Sequence, residues 1–179
     1  MTFNLRTTTV ADFSAIRDLY RAVSRTPGGI LRTTPEITDA YVANTLLPAL
    51  DRGVALVAHD AAGQIFGSIH AHTPPVLAFR HLLSDLTIMV HPEAQGRGVG
   101  RALFTQFFRR VETMTHILRV ELYVREHNTR NVQFYERLGF VREGRHPDQI
   151  LNADGSTETP LFMGWRNPNF AAVDRRMHG

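Results

Sequence analysis

The fold of this chain is decided by the stretch Val90-His91-Pro92-Glu93-Ala94-Gln95-Gly96-Arg97-Gly98-Val99-Gly100-Arg101. An apolar strand candidate, residues 86–90, runs into it, and an amphipathic helix candidate, Arg101 to Glu112, follows it. Backbone N–H groups at a helix N-terminus lack intrahelical partners, and the helix dipole favours negative charge there. Glycines allow the backbone to approach a phosphate closely. With side-chain donors on Gln95, Arg97 and Arg101, the stretch predicts a site for a phosphate-bearing ligand.

Two common glycine-rich motifs do not fit this loop. A P-loop needs a lysine after its second glycine, and all 20 basic residues of the 179-residue chain are arginine. A dinucleotide fingerprint needs Gly-x-Gly-x-x-Gly, whereas these glycines fall as Gly-x-Gly-x-Gly. A tight strand-to-helix turn that binds nothing is still open if the loop is considered alone.

A second segment of the sequence helps to decide between a ligand-binding loop and a simple turn. Residues 118–124 alternate between apolar and polar side chains, which is typical of a half-buried strand. Asn128 then stands where a helix N-cap would, and Tyr135 lies on the apolar face of the helix that follows. Gly139 is placed to end this helix before the next strand begins.

Together the two segments resemble the GCN5-related N-acetyltransferase (GNAT) family. The stretch Gln95 to Gly100 fits the family's Gln/Arg-x-x-Gly-x-Gly/Ala loop, which binds the pyrophosphate of acetyl-CoA. The family's second motif is matched by Asn128, Tyr135, Gly139 and Phe140, with Asn131 in place of an alanine. The resemblance implies an α/β (α+β) fold with a mixed, mostly antiparallel sheet of about seven strands and four helices. We expect one domain over residues 1–166 and a loose C-terminal extension over 167–179.

The resemblance also implies how acetyl-CoA would be held. In the family, the thioester lies where the fourth and fifth strands splay apart, beside backbone groups of the fourth strand. By position, these groups belong here to Ile88, Met89 and Val90. The cofactor-binding set is completed by the loop and the second motif: Gln95, Gly96, Arg97, Gly98, Val99, Gly100, Arg101, Asn128 and Tyr135.

Two catalytic roles are expected from the same resemblance. Tyr135 matches the tyrosine that protonates the CoA sulfur, although an aromatic ring that anchors a helix would read the same in sequence. Asp85 is the candidate general base, since it lies on the fourth strand and alternation places it on one face with Thr87 and Met89. Glu121 is the second candidate for the base, and either carboxylate could equally be a solvated charge.

Composition restricts the remaining options. The chain has no cysteine, so we expect direct transfer without a covalent cysteine intermediate. The arginines are scattered and the net charge is only +3, which argues against nucleic-acid binding. Nothing in the sequence resembles a membrane span or a signal peptide, so a cytoplasmic protein is expected. His70 and His72 have a spacing that suits a metal, but no third ligand is in view and we expect none.

The molecule that accepts the acetyl group is the part of the function that the sequence determines least. In the family, the acceptor side is formed by the connection of the first two helices and by the loop before the last strand, here residues 24–34 and 145–159. A small primary amine is the first choice and a protein α-amine the second. A catalytically silent acetyl-CoA-binding regulator is also open, as is a homodimer paired through the last strands.

Overall fold

The computed structural model describes residues 2–26 and 29–171. In chain order its elements are β1 (Asn4–Thr7), α1 (Phe13–Ser24), α2 (Asp39–Arg52), β2 (Gly53–His59), β3 (Ile65–His72), β4 (Leu82–Val90), α3 (Val99–Thr113), β5 (Arg119–Arg125), α4 (Thr129–Arg137), β6 (Val141–Arg145), β7 (Ile150–Leu151), β8 (Thr157–Glu158) and β9 (Pro160–Arg166). Within the described residues, seven strands form one sheet in the order β1-β2-β3-β4-β5-β9-β6. All neighbours are antiparallel except β4 and β5. The predicted fold class is confirmed.

Helices cover both faces of the sheet. The apolar stripe of α3, which includes the fully buried Phe104 and Phe107, packs on β2, β3 and β4, and α4 packs beside it on β5. On the opposite face, α1 and α2 pack on β2 to β4 and bury Ile16 and Leu46. Full burial of a side chain of this size contributes about 1.5–3 kcal/mol. The two apolar clusters are therefore separated by the sheet.

The sequence pattern predicts a helix over Val10 to Val23 and a second one over Pro35 to Leu50, and both begin later in the structure. The helix predicted from Val10 begins at Phe13, because residues 10–12 form a separate 3₁₀ turn. The helix predicted from Pro35 begins at Asp39, where the Thr38 hydroxyl accepts a hydrogen bond from the N–H of Tyr41 and caps it. The small β7–β8 hairpin was not predicted, since each of its strands has only two residues.

Strand β4 contains a bulge at Asp85. His70 of β3 pairs with Thr87 and His72 pairs with Ser84, so β4 has one extra residue between the two pairs. Asp85 has a φ of +54°, in the left-handed region. The predicted alternation through Asp85 is therefore wrong, because the bulge interrupts the period of two. Thr87 and the residues after it resume a regular strand.

The sheet opens between β4 and β5. These parallel strands share two residue pairs, Leu82 with Arg119 and Leu83 with Val120. Beyond them β4 continues to Val90 along β3, whereas β5 follows β9 over its whole length. A cleft therefore separates the two strands from Ser84 onward, at the place where the family resemblance expects it.

The start of the C-terminal extension is not loose. The side chain of Asn167 is 4% exposed, and its Nδ2 donates to the carbonyls of Val111 and Ile117 at 3.0 and 2.9 Å. The N–H of Ala171 bonds to the carbonyl of Thr115. The expectation of a loose tail is thus wrong for residues 167–171, which close the end of α3, and residues 172–179 lie outside the described part.

Candidate functional site

The glycine loop adopts a conformation that other residues rarely take. Gly96 and Gly98 have φ values of +74° and +82°, and Gly98 is the N-cap of α3. For a residue with a side chain, this left-handed region costs about 1–2 kcal/mol. A Cβ atom at either position would meet no heavy atom within 4 Å. The glycines are thus required by backbone conformation, and the space above them is open to a ligand.

The N-terminus of α3 presents unpaired donors to that space. The first intrahelical bond runs from the N–H of Ala102 to the carbonyl of Gly98 at 3.0 Å, so the N–H groups of Val99, Gly100 and Arg101 precede it. The Val99 side chain is buried in the core, which leaves only its backbone to face a ligand. Arg101 is exposed and adds positive charge. This arrangement suits an anion.

Gln95 is used within the loop itself. Its Nε2 donates to the carbonyl oxygen of Val90 at 3.2 Å, which ties the loop to the end of β4. The predicted role of this side chain as a phosphate donor stays a prediction. Gly100 lies at the junction with the cleft, because a Cβ there would be 3.8 Å from atoms of Ile88, Val90 and Phe134.

The free edge of β4 carries backbone groups for a ligand. The N–H of His91 bonds to the carbonyl of Phe66 on β3, and antiparallel pairing makes alternate residues bond to the same neighbour. Met89 therefore turns its peptide groups toward β3, and its side chain is buried under α1 and α2. Ile88 and Val90 turn theirs toward the cleft. Of the three predicted strand residues, these two are placed to meet a ligand through their backbone.

Tyr135 lies on α4, across the cleft from β4. Its ring packs edge-on against Phe104 and Phe140 at centroid distances of 5.9 Å. Among the described residues its hydroxyl has no hydrogen-bond partner, and burial raises the pKa of this phenol to about 12. The residue is thus protonated at physiological pH and has a proton to donate. Asn128 caps α4 as predicted, since its side chain accepts a hydrogen bond from the N–H of Asn131.

The two candidate bases lie just beyond the last paired residues of β4 and β5. Asp85 has an exposed side chain, and its carboxylate is 3.6 Å from His72 Nε2. Glu121, on β5, is only 19% exposed, and burial is the main cause that raises its pKa. Arg119 opposes this shift, whereas Glu143 and Asp85 add to it. Because Leu83 and Val120 are the last paired residues, Asp85 and Glu121 follow them by two residues or fewer and lie at the closed end of the cleft.

The sequence analysis missed a polar group beneath α1. On β3, Ser68 and His70 are fully buried and face the same side, with the apolar Ile69 between them facing the other. His70 Nε2 lies 3.2 Å from the Tyr20 hydroxyl, and burial lowers the pKa of His70 to about 3. Polar residues at alternate positions of a central strand were the available signal.

Residues 2–26 and 29–171 were searched for metal-binding clusters and for membrane-spanning helices, and neither is present there. No three histidine, cysteine or acidic side chains come together as a metal site would require. No helix there is long and apolar enough to cross a membrane.

Comparison with profiles of known protein families shows to which family the chain belongs. The profile of the acetyltransferase (GNAT) domain matches residues 51–142, just over half of the chain. The chain belongs to the GNAT family. The matched range includes the glycine loop, β4, β5 and α4, so the GNAT motifs and the cleft coincide in one region.

The chain is similar to acetyltransferases that are named for different acceptors. The mycothiol acetyltransferase of Salinispora tropica is 36% identical over 58% of this chain, and the spermidine N(1)-acetyltransferase of Vibrio cholerae is 28% identical over 53%. The matched regions cover only 34% and 53% of those relatives' own lengths. The phosphinothricin acetyltransferase of Sinorhizobium meliloti, solved with acetyl-CoA, has a TM-score of 0.83 at 23% identity, over 99% of this chain and 95% of that one.

Proposed function

We propose that the chain is an enzyme that transfers an acetyl group from acetyl-CoA directly to a primary amine of a small molecule. The observation that carries this proposal is the cleft between β4 and β5: the N-terminus of α3, which suits an anion, lies at its open end, and Tyr135, a protonated phenol, lies on α4 beside β5. Relatives whose names describe acetyltransferases support it. A silent acetyl-CoA-binding module would need the packing of the Tyr135 ring but not its hydroxyl group.

The residues of the cleft fit acetyl-CoA. Its pyrophosphate would be held by the N–H groups of Val99, Gly100 and Arg101, above glycines that leave room for it. Its pantetheine amides would pair with the backbone of Ile88 and with the N–H of Val90, much as a strand would, while the Val90 carbonyl already accepts from Gln95. Acetyl-CoA supplies an acetyl group activated as a thioester.

Three side chains are the candidates for the proton transfers of the reaction. The acceptor amine must lose its proton before it reacts, and Glu121 or Asp85 receives that proton at a carboxylate oxygen, directly or through water. Its raised pKa makes the Glu121 carboxylate a stronger base than an ordinary glutamate. The Tyr135 hydroxyl donates its proton to the departing sulfur, and the second proton that the amine nitrogen loses on becoming an amide returns to the tyrosinate, directly or through water. Positioned acids and bases of this kind typically contribute 10²–10⁴-fold to a rate.

The proposal is tested by CoA release, measured with a thiol reagent. The chain has no cysteine and gives no background signal. Small amines, amino acids, polyamines and short peptides are offered as acceptors. We expect turnover with a small amine, and about a hundredfold or greater loss of kcat in Tyr135→Phe with unchanged acetyl-CoA affinity.

Other outcomes are equally informative. Turnover with peptides alone would favour a protein α-amine acetyltransferase. Acetyl-CoA binding without turnover on any acceptor would favour the silent module. Unchanged kcat in Tyr135→Phe would remove this residue from the acid role, because its ring packing is retained in the variant.

A further inference from the structure

One side of the sheet is left uncovered at β5, next to the cleft. Helices α1 and α2 pack on this side against β2, β3 and β4. On β5, Val120 and Leu122 face the apolar cluster under α3 on the other side, so alternation turns Glu121 and Tyr123 to the side of α1 and α2. Tyr123 is 52% exposed, so no element within the described residues covers it.

Three rings on this side form what we call the aromatic shelf: Tyr123 of β5, Phe162 of β9 and His146, which follows β6. Tyr123 and Phe162 stand opposite each other in the pairing of β5 with β9, and their ring centroids are 5.1 Å apart. The His146 ring lies 5.7 Å from Tyr123 and 6.5 Å from Phe162. The N–H of His146 donates to the carbonyl of Pro160, which holds the residue against β9. The register of the strands therefore fixes the shelf.

A glycine leaves the space beside the shelf open. Gly144 stands opposite Phe162 in the pairing of β6 with β9, and a Cβ there would meet no heavy atom within 4 Å. Its φ is not in the left-handed region, so the backbone conformation does not require a glycine. Glycine in a strand marks either a bulge, which β6 has at Glu143, or the close approach of a ligand. The open space next to an exposed ring favours the ligand.

The aromatic shelf adjoins the candidate base. Glu121 precedes Tyr123 by two residues on the same face, which corresponds to roughly 7 Å along a strand. Arg119 connects this carboxylate to the shelf, since its Nε lies 3.6 Å from Glu121 Oε2 and its guanidinium carbon 5.8 Å from the centre of the Phe162 ring. A Cβ at Gly164, which pairs with Glu121, would come within 2.6 Å of Arg119 Nη2, so the glycine makes room for this guanidinium.

The charges around the aromatic shelf are already paired. Each arginine next to it on β5 and β6 interacts with a glutamate: Arg119 with Glu121 and Glu143, Arg125 with Glu158, and Arg145 with Glu126. A carboxylate on the ligand would have to displace one of these glutamates, and a second ammonium group one of these arginines. The surroundings of the shelf therefore favour an acceptor whose body is uncharged.

We propose that the acceptor is a primary amine whose body is an aromatic ring, with the amino group at Glu121 and the ring on the aromatic shelf above Gly144. The spacing of Glu121 and Tyr123 suits a linker of about two carbons between the two groups. This inference rests on the proposed function and names its substrate class. Because Tyr135 lies in the apolar cluster on the other side of the sheet, the acceptor and the acid reach the cleft from opposite sides.

The test compares amines that differ in their body. Calorimetry on the full chain saturated with CoA measures binding without any chemical step. The ligands are phenethylamine, cyclohexylethylamine, propylamine and putrescine. We expect phenethylamine to bind about tenfold or more tightly than propylamine and putrescine, because only its ring covers the shelf. It should bind about two- to tenfold more tightly than cyclohexylethylamine, because aromatic pairing adds to the burial of area.

Variants locate the effect on the aromatic shelf. Gly144→Val fills the open space with a residue that suits a strand, and it should weaken phenethylamine about tenfold more than propylamine. Arg142→Val is the matched control: it places the same side chain on the opposite face of β6, because Arg142 pairs with the buried Met163, and it removes only an exposed ion pair. Tyr123→Ala should weaken phenethylamine about tenfold, and Tyr123→Phe should regain most of this loss.

Four results would overturn the inference. Three of them come from calorimetry: equal binding of phenethylamine and cyclohexylethylamine, equal phenethylamine affinity in Gly144→Val and Arg142→Val, or no binding of phenethylamine. The fourth comes from sedimentation. If Tyr123→Ala dissociates a dimer and leaves the binding of amines unchanged, the aromatic shelf is an interface between two copies of the chain.

Turnover separates this inference from the proposed function. If phenethylamine binds with the expected pattern but no amine is acetylated, the acceptor class stands and the enzymatic function fails. If other amines are acetylated and phenethylamine is neither bound nor acetylated, the function stands and the acceptor class fails.

Discussion

Replacing Gly98 by alanine separates backbone strain from ligand binding. Gly98 has a φ of +82°, and a Cβ there would touch no protein atom. The variant Gly98→Ala should therefore lose about 1–2 kcal/mol of folding free energy from the left-handed conformation alone. For a domain of this size that corresponds to a fall in Tm of roughly 2–8 °C. The same Cβ would enter the space that we assign to the pyrophosphate.

The chain contains a matched control for this variant. Gly63, in the turn between β2 and β3, has a φ of +85° and equally open surroundings. Gly63→Ala should show a similar loss in stability, measured by thermal or urea unfolding. Only Gly98→Ala should weaken acetyl-CoA, by about ten- to a hundredfold, because a hydrogen bond to a charged group is worth about 1.5–3 kcal/mol.

Calorimetric titration of acetyl-CoA into both folded variants decides the point. If Gly98→Ala and Gly63→Ala bind acetyl-CoA equally well, the loop is a strand-to-helix turn and the assignment of the anion site is refuted. If only Gly98→Ala fails to bind, stability cannot be the cause, since both variants have the same backbone strain.

Two further predictions concern stability. The Arg6 guanidinium beside Asp12 holds the pKa of that carboxyl at about 2. The pair should therefore add about 2 kcal/mol to the free energy of unfolding above pH 4, and this contribution should be lost as the pH falls from about 4 to 2. In urea unfolding, Asp12→Asn should be less stable than the wild type at pH 6 and nearly as stable at pH 2.5, and a loss of stability that does not depend on pH would contradict the prediction. Asn167→Ala should cost about 2–4 kcal/mol in urea unfolding, because it leaves buried carbonyls at the end of α3 unpaired. The exposed Asn169 bonds one carbonyl there, and an equal loss in Asn169→Ala would count against the burial argument.

The sequence predicted those parts of the site that depend on local chemistry. The spacing of Gly96 and Gly98 before an amphipathic helix is a local pattern, and the structure confirms the strand, the loop and the helix. The N-cap at Asn128 was predictable for the same reason. The roles assigned to these residues in binding and catalysis stay predictions.

Features that depend on contacts between distant parts of the chain could not be predicted from the sequence. Residues 82–90 read as one continuous strand, and the bulge at Asp85 exists only in relation to the register of β3. The hydrogen bond between Tyr20 and His70 joins α1 to β3, and the pairing of Leu83 with Val120 brings Asp85 and Glu121 to the same end of two strands that are far apart in the chain. Such juxtapositions depend on tertiary packing, which a periodicity in one segment does not contain.

The short pairing between β4 and β5, which consists of two residue pairs, also bears on how the chain folds. Strands β1 to β4 come from residues 4–90 and β5, β6 and β9 from residues 119–166, so each half of the sheet is contiguous in sequence. Contacts that are local in sequence form with a small entropic cost, so we expect the strands of each half to pair as a unit before the two units meet. Helix α3 packs on the first unit and joins it to the second, because Phe104 contacts Tyr135 of α4 and Phe108 stacks on Trp165 of β9. The cleft is therefore absent from either unit alone and is created when the two assemble.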